Sequence, residues 1–128
     1  MAAKKKVLQL NKKLIAQDLF PFTCKGERIN VSEKHGVYII YDKNEKVLHV
    51  GRTVRGEGGL NKRLNNHRCG KSSFMRNFFK DKEKRLWSGG YQFRYIKVAD
   101  DKMRTYVEAL TTGLECPEYI GTSSTNTI

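Results

Sequence analysis

Apolar positions follow two rhythms along this 128-residue chain. The first is the short extended run. Gly36-Val37-Tyr38-Ile39-Ile40-Tyr41 is β-branched and aromatic after its glycine, which predicts a strand. Residues 42–46 are polar and carry the Asp and Asn of a turn, and Val47-Leu48-His49-Val50-Gly51 returns to strand formers. Residues 36–51 therefore predict an antiparallel hairpin. A third strand is predicted over residues 91–98, with Tyr91, Phe93 and Tyr95 on one side and Gln92, Arg94 and Ile96 on the other. Residues 28–31 are a short strand candidate.

The second rhythm is helical. Val7, Leu10, Leu14, Ile15 and Leu19 form one stripe over residues 4–20, with Lys5, Gln9, Lys12 and Lys13 largely outside it. Pro21 is the expected stop, because proline disfavours helical geometry at Phe20. Leu60 and Leu64 share one helical face, as do Arg63 and His67, and Gly70 ends that helix. Ser72 or Ser73 caps a helix with Phe74, Phe78 and Phe79 as its core face, which dissolves into the charge run 80–85. Asp100 or Asp101 caps a last helix to about Leu114, with Met103, Tyr106, Val107, Leu110 and Leu114 at core spacing. Glu108 lies at the border of that stripe. The prediction is a small α+β domain with an antiparallel sheet of about three strands flanked by helices. Residues 1–34 form a basic helix and entry loop, 35–120 the main domain, and 121–128 a loose tail.

Charge changes the picture. The chain carries 25 Lys and Arg against 13 Asp and Glu, a formal +12 with a pI near 9.8. Such an excess repels itself in a folded state and points to a polyanionic partner. No apolar run approaches the roughly 18 residues of a membrane span, so nucleic acid is favoured over membrane. From residue 105 onward the only charged residues are Glu108, Glu115 and Glu118. An acidic stretch in a basic chain suits a cation, although ordinary unevenness of charge gives the same pattern. Cys24, Cys69 and Cys116 are odd in number and form no CxxC pair. They imply reduced thiols in an intracellular protein, cytoplasmic or, in a prokaryote, nucleoid-associated.

Phosphodiester hydrolysis requires an activated water, positive charge on the phosphate and usually a divalent cation. Arg63 suits a phosphate oxygen through its forked donors. Glu108 is a hard oxygen ligand of the kind Mg²⁺ takes in small number. Tyr38 is a poor base at its normal pKa of about 10. A neighbouring cation or a metal-bound water would have to lower it, and Arg52, Lys43 and Arg63 are the candidate cations. Gly56, Gly58 and Gly59 lack a Walker-type Lys-Ser/Thr, so a plain surface loop competes with a phosphate cradle.

The order Gly36-Val37-Tyr38, His49-Val50-Gly51, Arg63-x3-His67 and Glu108, closed by Cys116-Pro117-Glu118, resembles the GIY-YIG nuclease domain over about residues 35–118. Each motif is short; order and spacing together carry the resemblance. It implies a divalent-metal-dependent DNA endonuclease using Mg²⁺ or Mn²⁺, without excluding RNA. Tyr38 would help activate the water, Arg63 contact the scissile phosphate, His67 assist proton transfer or phosphate positioning, and Glu108 bind the single metal. Arg52, Arg55, Lys62, Lys71 and Arg76 are further nucleic-acid contacts. There are two departures from the family pattern. His49 replaces its second tyrosine, and imidazole can act there as base or donor. Ile120 stands where an asparagine follows the late proline. The departures keep open a second reading, a weakened or inactive nucleic-acid-binding module on the same scaffold. Targeting would fall to a partner protein or a homodimer, or specificity would be low.

Overall fold

In the computed structural model, which describes residues 2–23, 26–79 and 85–120, the hairpin strand β2 (Gly36–Tyr41) is central and buried along its whole length. The four-stranded sheet also contains β1 (Phe20–Pro21), β3 (Val47–Arg52) and β4 (Gln92–Lys97), in the order β1-β4-β2-β3 with every described pairing antiparallel. Alternation sends Tyr38 and Ile40 to one face and Val37, Ile39 and Tyr41 to the other. Both faces are covered, which is why β2 reads as a continuous apolar run rather than an alternating one.

The first face is covered by α2 (Gly59–Arg68) and by a π-helical turn (Met75–Phe79). Its core is Tyr38, Ile40, Leu60, Leu64, Phe74 and Phe93. The second is covered by α1 (Ala2–Ile15) and α3 (Asp101–Glu115), with Leu14, Val37, Ile39, Ile96 and Val107 between them. The N-terminal helix thus shares the main core, and its Asn11 donates a buried 2.9 Å bond to Thr111 of α3. Asp100 caps α3 by accepting from the Met103 amide at 2.9 Å. Its C-terminus closes at Cys116 in the left-handed region, φ 49°.

Three expectations change. The first helix stops at Ile15 rather than running to Pro21, because Phe20 and Pro21 extend and pair with Phe93 and Gln92 as an edge strand. Proline is tolerated there because an edge leaves some amides unpaired. This short strand makes the sheet four-stranded instead of about three. Residues 28–31 form no strand: the Ile29 amide is satisfied by Asn65 Oδ1 at 2.9 Å and the Ser32 amide by Asn61 Oδ1 at 2.9 Å, both from α2. Side chains replace a ladder partner. The predicted tail 121–128, Cys24, residues 80–84 of the charge run and the side chain of Phe79 lie outside the described residues.

One irregularity positions the site. Val47 pairs with Tyr41 and His49 with Ile40, leaving Leu48 as the extra residue of a bulge. Regular alternation from Val47 would turn His49 toward α3. The bulge turns it to the face of Tyr38 instead.

Candidate active site

The free edge of β3 is where the two helical layers meet, and a cleft of about 450 Å³ opens along it. His49, Gly51, Arg52, Arg63, Glu108 and Tyr119 line it. Tyr119 is held there by its amide, which donates to the Leu48 carbonyl at 2.8 Å. Arg52 and Arg63 also line a second, smaller cavity of about 290 Å³, together with Arg55 and Lys62. Of the residues singled out in the sequence, Arg52, Arg55, Lys62 and Arg63 therefore converge. Lys71 and Arg76 do not: the Arg76 guanidinium donates to the Lys71 carbonyl at 3.0 Å, and neither residue lines either cavity.

Behind the cleft runs a buried chain of hydrogen bonds. Arg63 Nε donates to the Tyr38 hydroxyl at 3.2 Å, and that hydroxyl is 2.7 Å from His67 Nε2. His67 Nδ1 is 2.7 Å from Ser72 Oγ, which accepts from the Met75 amide at 3.3 Å. Two tautomers satisfy these contacts: Tyr38 donates to Nε2 while Nδ1–H donates to Ser72, or Ser72 donates to Nδ1 while Nε2–H donates to Tyr38. Helical spacing alone predicts a semi-buried His67 that reaches a cleft. It is fully enclosed, and burial holds its imidazole well below the ordinary pKa, with His49 and Arg63 adding to the effect. Tyr38 is also fully buried. Burial pushes its hydroxyl up to about 12, outweighing the lowering by Arg63. The neighbouring cation is present but does not bring the hydroxyl below its normal value, and in the free protein Tyr38 is neutral.

His49 occupies the position of the departed tyrosine. It stacks on Phe74 with centroids 4.9 Å apart and 11° between the planes, and touches Tyr38, His67 and Tyr119. Burial lowers its pKa to about 4, against a backbone hydrogen bond with Tyr119. Its Nδ1 is buried and finds no partner among the described residues. Ile120, in place of the expected asparagine, is exposed at the cleft rim.

On the opposite wall Glu108 is half-buried and its Oε1 is paired with Arg52 Nη1. The paired guanidinium demonstrates that this carboxylate already accommodates a cation. Among the described residues no three His, Cys, Asp or Glu side chains cluster. A single carboxylate at an open cleft still fits Mg²⁺, which keeps most of its waters.

The glycine-rich loop leads into α2 with two of its following amides already engaged. Amides at the start of α2 are consumed internally: Leu60 donates to the Lys34 carbonyl at 2.9 Å and Asn61 to that of Ser32 at 2.8 Å. Two other glycines matter more. A Cβ at Gly36 would overlap the Ile96 carbonyl, and one at Gly51 the hydroxyl end of Tyr38, directly opposite it in the register. Gly51→Ala is therefore expected to displace the Tyr38 ring from His67 and cost about 1–3 kcal/mol of stability, as overpacking does. Urea unfolding against the wild type measures it; an unchanged midpoint would contradict the packing.

Sequence reasoning missed Arg104 and gave Ser72 only a capping role. Arg104 is buried and donates to the carbonyls of Thr53, Val54, Val98 and Ala99 at 2.9–3.0 Å. It ties the loop after Arg52 to α3 one turn before Glu108. A charged residue off the apolar stripe gives no sequence signal for burial.

Residues 34–110 match the family model of the GIY-YIG catalytic domain. No curated protein matches the chain.

Proposed function

The chain belongs to the GIY-YIG catalytic domain family, a family of nucleases, and from this premise we propose that it is a divalent-metal-dependent endonuclease acting on DNA. The observation that carries the reading is the convergence of Arg63 and Glu108 on opposite walls of one cleft, from different helices and different faces of the sheet. Among the described residues Arg63 commits only Nε, to Tyr38, so both terminal amines remain for a non-bridging phosphate oxygen, in the fork geometry that suits it. The Ser72–His67–Tyr38 chain orients this guanidinium. Glu108 would hold Mg²⁺ or Mn²⁺, which when bound neutralises phosphate charge and makes a coordinated water acidic.

The same geometry gives proton handling a narrower form than Tyr38 acting alone as a base. The buried phenol keeps its proton, and where His67 carries its own on Nδ1 the phenol proton points to Nε2. It can release that proton only along the chain or after substrate changes the field around it. Arg55 and Lys62, in the adjoining cavity, bind the neighbouring phosphate. Among the described residues no helix is long and apolar enough to cross a membrane.

A second reading, a non-cleaving module, draws on His49, whose Nδ1 is buried without a partner among the described residues at the altered motif position. Supercoiled-plasmid nicking in Mg²⁺ with and without EDTA separates the two. The endonuclease gives nicking that EDTA suppresses to background. Binding that weakens steeply with salt, through lost counterion release, with no nicking in Mg²⁺ or Mn²⁺, would establish the module instead.

A further inference from the structure

We propose that Arg52 occupies Glu108 as an internal cation in the free protein and leaves it for the backbone of bound nucleic acid, so that divalent-cation binding and phosphate binding are coupled. The proposal rests on the assignment of Glu108 as the metal carboxylate. Arg52 ends β3 and pairs with Val37, so its side chain projects to the α3 face, where Nη1 meets Glu108 Oε1. The two side chains are 31% and 24% exposed, shielded enough to interact yet open to the cleft. Among the described residues, Arg52 is the only one besides Val54 and Arg63 that lines both cavities, so it forms part of the wall between them.

What distinguishes this arginine is how little holds it. Arg104 is fastened by four carbonyls and Asp101, a fully satisfied structural guanidinium. Among the described residues Arg52 has Glu108 as its one side-chain partner, and its Nε is buried with none. The cavity on its other side is lined by Arg55, Lys62 and Arg63 against the single acid Glu57. It is short of negative charge. A phosphate entering there gives Arg52 a second acceptor with bidentate geometry and frees Glu108. A divalent cation at Glu108 would repel the guanidinium toward that same cavity. Each ligand therefore favours the other, and linkage makes the factor reciprocal.

The test is Mn²⁺ binding followed by electron paramagnetic resonance, which needs no turnover. In the free protein, Arg52→Gln is expected to tighten Mn²⁺ binding by roughly fivefold or more, the scale of a coupled pair of sites. Arg55→Gln removes an equal charge from the adjoining cavity without touching Glu108. It is expected to change binding by less than about twofold through screened long-range charge. In the wild type a short duplex, checked intact by gel after the measurement, should tighten Mn²⁺ binding, and Arg52→Gln should lose most of that enhancement. Equal effects of the two glutamine variants would overturn the proposal, as would a wild-type affinity indifferent to duplex. The wild-type arm stands even if Arg52→Gln does not fold. Glu108→Gln separates the premise from the coupling: undiminished Mn²⁺ binding would remove the metal assignment itself. Lost binding there with no gain in Arg52→Gln would refute the coupling alone.

Discussion

Arg63→Ala is expected to lower phosphodiester cleavage by roughly 10²–10³-fold, the usual cost of removing one donor aimed at developing charge. The change should leave the fold nearly intact. Arg63 is half-buried, and its one bond to the described residues, to the Tyr38 hydroxyl, is worth about 1 kcal/mol. Arg63→Lys should recover only part of the rate, because an ammonium cannot reach Tyr38 and fork onto a phosphate together. Tyr38→Phe supplies the positioning control. It removes the hydroxyl that fixes Nε while keeping the ring, so a cleavage loss shared with Arg63→Ala, and not added to it, identifies the pair as one unit. Single-turnover nicking of plasmid by each variant, with thermal unfolding alongside, decides the matter. Wild-type nicking by Arg63→Ala would remove this residue from the phosphate.

The second large effect is on acid stability. His49 is held near pKa 4 by burial, and His67 is also displaced well downward. An unfolded histidine takes up its proton near pH 6.5, so between that value and the folded pKa the unfolded chain binds more protons than the native one. Stability contributed by neutral burial is complete above pH 6.5 and is lost progressively as pH falls. For His49 the loss approaches about 3 kcal/mol by pH 4, since each pH unit between the unfolded and folded pKa contributes roughly 1.4 kcal/mol. His49→Phe should flatten part of this acid limb. It keeps the stack on Phe74 and removes a buried nitrogen that has no partner among the described residues. Urea melts across pH 4–7 measure both. Parallel pH profiles for the two proteins would mean that His49 is not the titrating group.

Sequence legibility followed the physics of local pattern. The hairpin was readable because β2 and β3 are β-branched and aromatic, and the last helix because its cap at Asp100 is a local signal. Tyr106 and Leu114 of that helix's predicted core stripe are nevertheless exposed, and the buried face is Arg104, Val107 and Thr111. Where side chains from distant segments replaced a local rule, reading failed. Asn61 and Asn65 satisfy the amides of Ile29, Val31 and Ser32, and the far end of the predicted first helix became β1 by pairing with β4. The site divided the same way. Arg63 and His67 on one helical face were legible from a spacing of four. The enclosure of His67 was not, because burial depends on the rings of Tyr38, His49 and Phe74 closing on it from other elements.

By itself, the sequence determined the α+β class, the hairpin, the basic charge excess and the ordered motifs from Gly36 to Glu108. These depend on residue type and near-neighbour spacing. Only the tertiary structure decided that a bulge at Leu48 turns His49 toward Tyr38, that Arg52 is drawn to Glu108, and that burial raises Tyr38 instead of a cation lowering it. Each of these depends on which groups from other elements share a low-dielectric space. Coulombic and desolvation energies are set by that distance and enclosure, and neither is written in the order of residues along one strand or helix.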